Sequence, residues 1–112
     1  MYTVYHNPRC KKSRAGLQYV IEKGMEHQVR EYLKDALSEA ELGTLLMKLH
    51  LKPRDMIRTQ EVYFKKELKG LNLNDDEWIK VMVANPKLIQ RPIVEGKYKA
   101  VHGDPVENID QL

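Results

Sequence analysis

With 112 residues, 42% of them apolar and 31% charged, the chain has the makings of one soluble globular domain with a modest core. The formal charge of +3 and pI near 8.9 suit a local anion site, and no basic stripe interleaved with aromatics gives a nucleic-acid footprint. One cysteine excludes an intrachain disulfide and a cysteine-rich zinc site. His6, His27, His50 and His102 show no i, i+4 pair or cluster, so no metal is expected. Residues 1–6 lack the basic and apolar regions of a secretory signal, and no apolar run reaches membrane-spanning length. A reducing cytoplasm is the expected location.

Residues 2–6 alternate aromatic, β-branched and polar side chains at period two, which reads as a strand. Residues 11–23 follow as a helix with Leu17, Val20 and Ile21 on one face and Gly24 as its stop. Across this junction runs Tyr5-His6-Asn7-Pro8-Arg9-Cys10-Lys11-Lys12-Ser13-Arg14, which holds the sole cysteine. A thiol there meets the first free N–H groups of the helix and the positive end of its dipole. Arg9, Lys11, Lys12 and Arg14 add positive charge, and both effects favour the thiolate, the reactive form. Ser13 makes a Cys-x-x-Ser pattern, and its hydroxyl is expected to point back toward the sulfur. Cys10 is thus the candidate nucleophile. With no second cysteine in the chain, an oxidised Cys10 must be reduced by an external thiol or a partner protein.

Residues 27–32, centred on Val29, give a second strand and complete a βαβ unit with parallel pairing and a right-handed crossover. The Cys10 loop then lies at the carboxyl end of the first strand, where open α/β sheets place their sites. Ser38-Glu39-Ala40-Glu41 is a capping box ahead of Leu42, Leu45, Leu46 and Leu49 at i, i+3, i+4 and i+7. Pro53 breaks that pattern, and residues 54–68 read as shorter helical pieces ending near Gly70. Asn74-Asp75-Asp76-Glu77 caps a further helix with Trp78, Val81 and Met82 as its buried stripe, ended by Asn85-Pro86. Residues 92–95 and 97–101 read as two strands of a hairpin around Gly96. Asp104-Pro105-Val106-Glu107 opens a last short helix carrying Ile109 and Leu112, with Pro105 at its first helical position. The predicted order is βαβ, a helical insertion over approximately residues 36–86, then ββα, within one domain over 1–112.

Three ordered motifs carry a resemblance. Tyr5-His6-Asn7-Pro8-x-Cys10-x-x-Ser13-Arg14, Arg54-x-x-x-Arg58 and Leu88-Ile89-x-Arg91-Pro92-Ile93-Val94 resemble the ArsC-like family, the glutaredoxin-linked arsenate reductases and their relatives. The resemblance implies an α/β fold, a thioredoxin/glutaredoxin-like core with a helical insertion, in which Pro92 is a cis-proline facing the thiol. It implies Cys10 as catalytic nucleophile, Ser13, Arg14, Arg58 and Arg91 as oxyanion-binding residues, and His6 and Asn7 as thiolate-stabilising. Arg54 reads as structural. Arginine suits the task, since a thiolate attacking an oxyanion brings two negative charges together and a guanidinium offsets them with a permanent charge and a planar fork. In one place the chain departs from the pattern. Family arsenate reductases usually carry a third anion-binding arginine shortly before the last helix, where this chain reads Ala100-Val101-His102-Gly103-Asp104-Pro105. Lys97 and Lys99 are the nearby candidates to compensate.

The activity so implied is a cytoplasmic thiol-dependent oxidoreductase, an arsenate reductase with no bound cofactor. Glutathione is its co-substrate and a glutaredoxin-like protein its reductant. Two other readings stand beside it. Spx-type regulators are similar in sequence and act by binding RNA polymerase, although Ser13 in the place of a second cysteine argues against a built-in disulfide switch. A glutaredoxin-like reductase of mixed disulfides, without arsenate activity, is favoured by the missing arginine. No reading implies direct nucleic-acid or membrane binding.

Overall fold

Alternation at the N-terminus produces strand β1 (Tyr2–Tyr5), and the basic run after Cys10 produces helix α1 (Lys11–Glu22). Strand β2 (His27–Arg30) returns parallel to β1, pairing Tyr2 with His27 and Tyr5 with Arg30. His6 N–H continues this ladder by donating to the Arg30 carbonyl at 2.9 Å. Gly24 takes φ +66°, the left-handed conformation that ends α1 without a Cβ clash. Helices α2 (Glu39–Leu49) and α3 (Asp75–Ala84) follow, then strands β3 (Ile93–Glu95) and β4 (Ala100–His102) and a 3-10 helix, Val106–Gln111.

The computed structural model describes residues 1–112, and they divide into two units, Met1–Ala36 with Arg91–Leu112, and Leu37–Gln90. In the first unit the sheet order is β2-β1-β3-β4, with β3 antiparallel to both β1 and β4. Its core joins Val4, Val20, Val94, Val101 and Ile109, with Tyr2, Leu17, Tyr19, Met25 and Leu112 packed around them. The register matters for function. Tyr5 pairs with Ile93, and Ile93 with His102, so the end of β1, the start of β3 and the end of β4 share one edge of the sheet.

The second unit packs α2 on α3. Both capping boxes form as their sequences require: Ser38 Oγ accepts Glu41 N–H, and Asn74 Oδ1 accepts Glu77 N–H. Leu42, Leu45, Leu46 and Leu49 are buried, as are Trp78 and Met82. Between the helices lie a 3-10 turn, Pro53–Met56, and a π-helical turn, Phe64–Leu68. Arg54 lays its guanidinium over the rings of Phe64 (4.9 Å) and Trp78 (5.7 Å), a packing role. The unit carries on past Pro86 to Gln90, because the Pro86–Leu88 turn leads into an Ile57–Ile89 bridge and Gln90 N–H donates to the Met56 carbonyl.

Several sequence expectations shift. Ile21 is 50% exposed, since α1 turns a narrower face to the core, and Val29 is 44% exposed because β2 is an edge strand. The second hairpin strand starts at Ala100 instead of residue 97, because the turn takes Lys97–Lys99 and closes with Gly96 N–H on the Lys99 carbonyl. Pro105 stands just ahead of the last helix, which is 3-10 throughout. No helix is long and apolar enough to cross a membrane.

Leu45 is fully buried and Ile21 is not. Leu45→Ala is expected to cost about 2–5 kcal/mol of unfolding free energy, and Ile21→Ser no more than about 0.5 kcal/mol, as read from urea denaturation midpoints at constant m.

Candidate active site

Where β1 ends, a tight turn forms. Cys10 N–H donates to the Asn7 carbonyl at 3.0 Å, and Arg9 N–H donates to Asn7 Oδ1 at 3.0 Å. Asn7, buried, is therefore the residue that shapes the turn, by the Asx geometry its short side chain favours. Cys10 then occupies the position before the first turn of α1 in extended conformation (φ −95°, ψ 122°). The thiol makes no formal capping hydrogen bond, yet its surroundings favour the charged form. Partial burial pushes the Cys10 pKa up, and this is outweighed by the Ser13 N–H, hydrogen bonding from the Arg91 side chain, the Lys12 N–H and the Arg91 charge, so the pKa falls below its ordinary value.

Ser13 is fully buried, and its hydroxyl is engaged away from the role expected of it. Oγ accepts Asn7 N–H at 2.9 Å and lies 2.7 Å from His6 Nδ1. Ser13 reaches the sulfur through its main chain instead. His6 is buried too, and desolvation, helped by the charge of Arg14, lowers its pKa despite the opposing effects of Glu31 and Ser13. A neutral His6 supplies no cation to the thiolate and acts on the loop through Ser13. Arg14 is exposed and donates from Nη1 to the Pro8 carbonyl at 2.9 Å, pinning the turn.

Arg91 arrives from the far side of the sequence. It precedes β3, whose register sets it at the same sheet edge as the Cys10 turn, and it is buried. The Arg91–Pro92 bond is cis, as the resemblance implies, and Asp104–Pro105 is cis as well. Pro92 is gripped by two glycines that the sequence reading passed over. A Cβ on Gly16 would stand 2.4 Å from Pro92 Cγ, and one on Gly103 would stand 3.1 Å from it. Gly103 N–H donates to the Pro92 carbonyl at 2.8 Å. Gly16 did leave a signal. A glycine in a helix interior costs about 1 kcal/mol relative to alanine, so one in mid-α1 points to a close approach.

His102 stands in the region of the absent third arginine. Its Nε2 is 3.2 Å from the Arg91 carbonyl oxygen, which can only accept, so Nε2 carries the proton. Burial lowers its pKa more than the Arg91 carbonyl and Asp104 raise it. It holds the Arg91 backbone and adds no charge. Lys97 and Lys99 do not compensate either, since their turn follows Glu95, which pairs with Thr3 at the opposite end of the sheet. Arg58 belongs to the second unit, where Nε pairs with Glu61 Oε2 at 3.1 Å and its N–H donates to the Leu88 carbonyl at 2.7 Å. No group of three or more His, Cys, Asp or Glu side chains is placed to hold a metal.

A model of the ArsC family matches residues 5–112, and the chain belongs to that family. An arsenate reductase of Neisseria meningitidis serogroup A is 38% identical over 111 residues, covering 97% of this chain and 95% of its own. One of Haemophilus influenzae is 37% identical over 111 residues, covering 97% and 96%. The solved structure of an arsenate reductase from Vibrio cholerae matches with a TM-score of 0.92 at 38% identity, over 99% of this chain and 97% of its own. The fold is accordingly the ArsC form of the thioredoxin-like α/β class.

Two outcomes follow from these environments. The pH profile of Cys10 alkylation is expected to give an apparent pKa below the free-cysteine value of about 8.5. Arg91→Gln, checked for native circular dichroism, should raise it, and an unchanged value would deny Arg91 its electrostatic part. For His6 and His102 the folded pKa lies below the unfolded value of about 6.5, so only the unfolded state takes up the proton as pH falls through it. Stability should be fully present above that pH and decline below it, and His102→Gln should make the decline in urea midpoint shallower.

Proposed function

We propose that the chain is a cytoplasmic arsenate reductase of the ArsC type, with Cys10 as nucleophile and glutathione, assisted by a glutaredoxin-like protein, as reductant. The observation that carries this reading is the sulfur's environment: a thiol whose pKa is lowered by the Ser13 and Lys12 N–H groups and by Arg91. The same donors suit an oxyanion, because helix-start N–H groups and a guanidinium recognise anions by the same interactions.

In this reading the Cys10 thiolate attacks arsenic(V), forming an S–As bond while one arsenate oxygen leaves, protonated, as water. Glutathione thiolate then attacks the Cys10 sulfur. An S–S bond forms, the S–As bonding pair stays on arsenic, and arsenic(III) departs as arsenite. A second thiol, from glutathione or a glutaredoxin, attacks the glutathione sulfur of the mixed disulfide and returns Cys10 as the thiolate. Two thiols are oxidised to one disulfide for each arsenic reduced. No resolving cysteine is needed in the chain, which has none to offer.

The neutral His102, engaged with the Arg91 carbonyl, favours a second reading, a reductase of glutathione mixed disulfides that leaves arsenate untouched. Steady-state arsenite formation with glutathione and glutaredoxin separates the two. Turnover in the wild type that vanishes in Cys10→Ser supports arsenate reduction. Turnover only on a glutathionylated peptide overturns it in favour of the second reading.

A further inference from the structure

The last helix, Val106–Gln111, belongs to a chain of contacts that begins and ends on α1. Its inner side is fixed by Ile109, buried in the core with Val4, Val20, Val94 and Val101. Its outer side meets α1 at Asp110, whose carboxylate accepts the Tyr19 hydroxyl at 2.8 Å and pairs with Lys23. Between these two anchors stands Asn108, half-buried, and its Nδ2 donates to the His102 carbonyl at 3.0 Å. His102 is the last residue of β4, so the helix fastens the end of that strand. Asp104, two residues on, pairs with Lys12 in the first turn of α1 at 3.3 Å.

From the end of β4 the chain of contacts passes to the residues ahead of β3. His102 Nε2 donates to the Arg91 carbonyl at 3.2 Å, and Gly103 N–H donates to the Pro92 carbonyl at 2.8 Å. Two consecutive residues thus grip two consecutive carbonyls. Pro92 has no N–H to offer in return, so the grip acts through the carbonyls. Arginine carries its planar fork on a long, flexible stem, and where the fork lands depends on where the backbone holds its Cα. For Arg91 the fork lands on the Cys10 sulfur, at the start of α1.

We propose that Asn108 and His102 are positioning residues for the Cys10 nucleophile: Asn108 sets the end of β4, His102 carries that placement to the Arg91 backbone, and the guanidinium is thereby held against the sulfur. Neither side chain touches the sulfur or a substrate. The last helix is then part of the site, although its residues lie at the other end of the sequence from Cys10. The proposal rests on the reading above in taking Cys10 to react as a thiolate, and it holds whichever electrophile the thiolate meets.

The readout is the apparent pKa of Cys10 from the pH dependence of iodoacetamide alkylation, so that neither arsenate nor a reducing thiol enters it. Asn108→Ala and His102→Leu are each expected to raise it by about half a unit, which slows alkylation about threefold at pH below the pKa. His102→Gln keeps an N–H donor in the place of Nε2 and should restore the wild-type value. Ile109→Val loosens the same helix with both hydrogen bonds intact and should leave the value unchanged. In an Arg91→Gln background neither Asn108→Ala nor His102→Leu should shift it further, because the group they position is gone. Where His102→Leu fails to fold, Asn108→Ala, which trims a half-buried side chain, carries the test. A pKa unmoved by Asn108→Ala, moved as far by Ile109→Val, as high in His102→Gln as in His102→Leu, or shifted equally with Arg91 replaced would overturn the assignment. The two readings fail separately. A pKa raised through Arg91 in a protein with no arsenate turnover keeps the positioning pair and removes the arsenate reductase. Arsenate turnover with a pKa indifferent to both variants does the reverse.

Discussion

Everything in the candidate site bears on lowering the pKa of one partly buried sulfur. Burial alone raises a thiol pKa, and the fold opposes it with donors drawn from two distant parts of the sequence, the first turn of α1 and the residue before β3. The helix supplies fixed N–H groups whose direction is set by the backbone, and Arg91 supplies a charge that does not titrate. Neither is sufficient in kind by itself: N–H groups stabilise the sulfur but cannot neutralise an incoming oxyanion, and an isolated guanidinium would not fix the sulfur's position. In the proposed reductase a thiolate placed in this way would be both nucleophile and half of an anion site.

That arrangement imposes a packing constraint further back. To bring Arg91 to the sulfur, Pro92 must lie against α1, and α1 permits it only because position 16 has no side chain. Gly103 relieves the same crowding from β4 and fastens the Pro92 carbonyl with its N–H. His102, one residue earlier, fastens the Arg91 carbonyl. Thus α1, β3 and β4 meet at one proline, and the site's one buried guanidinium is oriented by contacts that carry no charge. The site's electrostatics rest on van der Waals fit.

How much of this was legible follows from where each interaction acts. Elements with local causes read well: the Ser38 and Asn74 capping boxes, the leucine stripe of α2, and the strand-to-helix junction at Cys10 all depend on residues within one or two turns of each other. Burial at the margins read less well, because the exposure of Ile21 and Val29 depends on which strand is at the edge, a matter of topology. The side-chain roles were the least legible. Ser13, His6 and Arg14 were expected to address the sulfur or its anion. Instead Ser13 Oγ is taken by His6 and Asn7, and Arg14 by the Pro8 carbonyl, since a tight turn leaves buried polar groups that must be satisfied first. The motif is site chemistry in part and turn architecture in part, and residue types alone do not divide the two.

The single cysteine finally determines what the rest of the surface has to do. A protein with a resolving thiol keeps its second electron donor at a fixed distance. This chain has no such thiol, so in the proposed reductase both reducing thiols would approach from solvent, and the first would have to reach the Cys10 sulfur from a side that the oxyanion does not occupy. A free thiol gains by being held, since fixing a reactant beside its target replaces a search through solution with a local one.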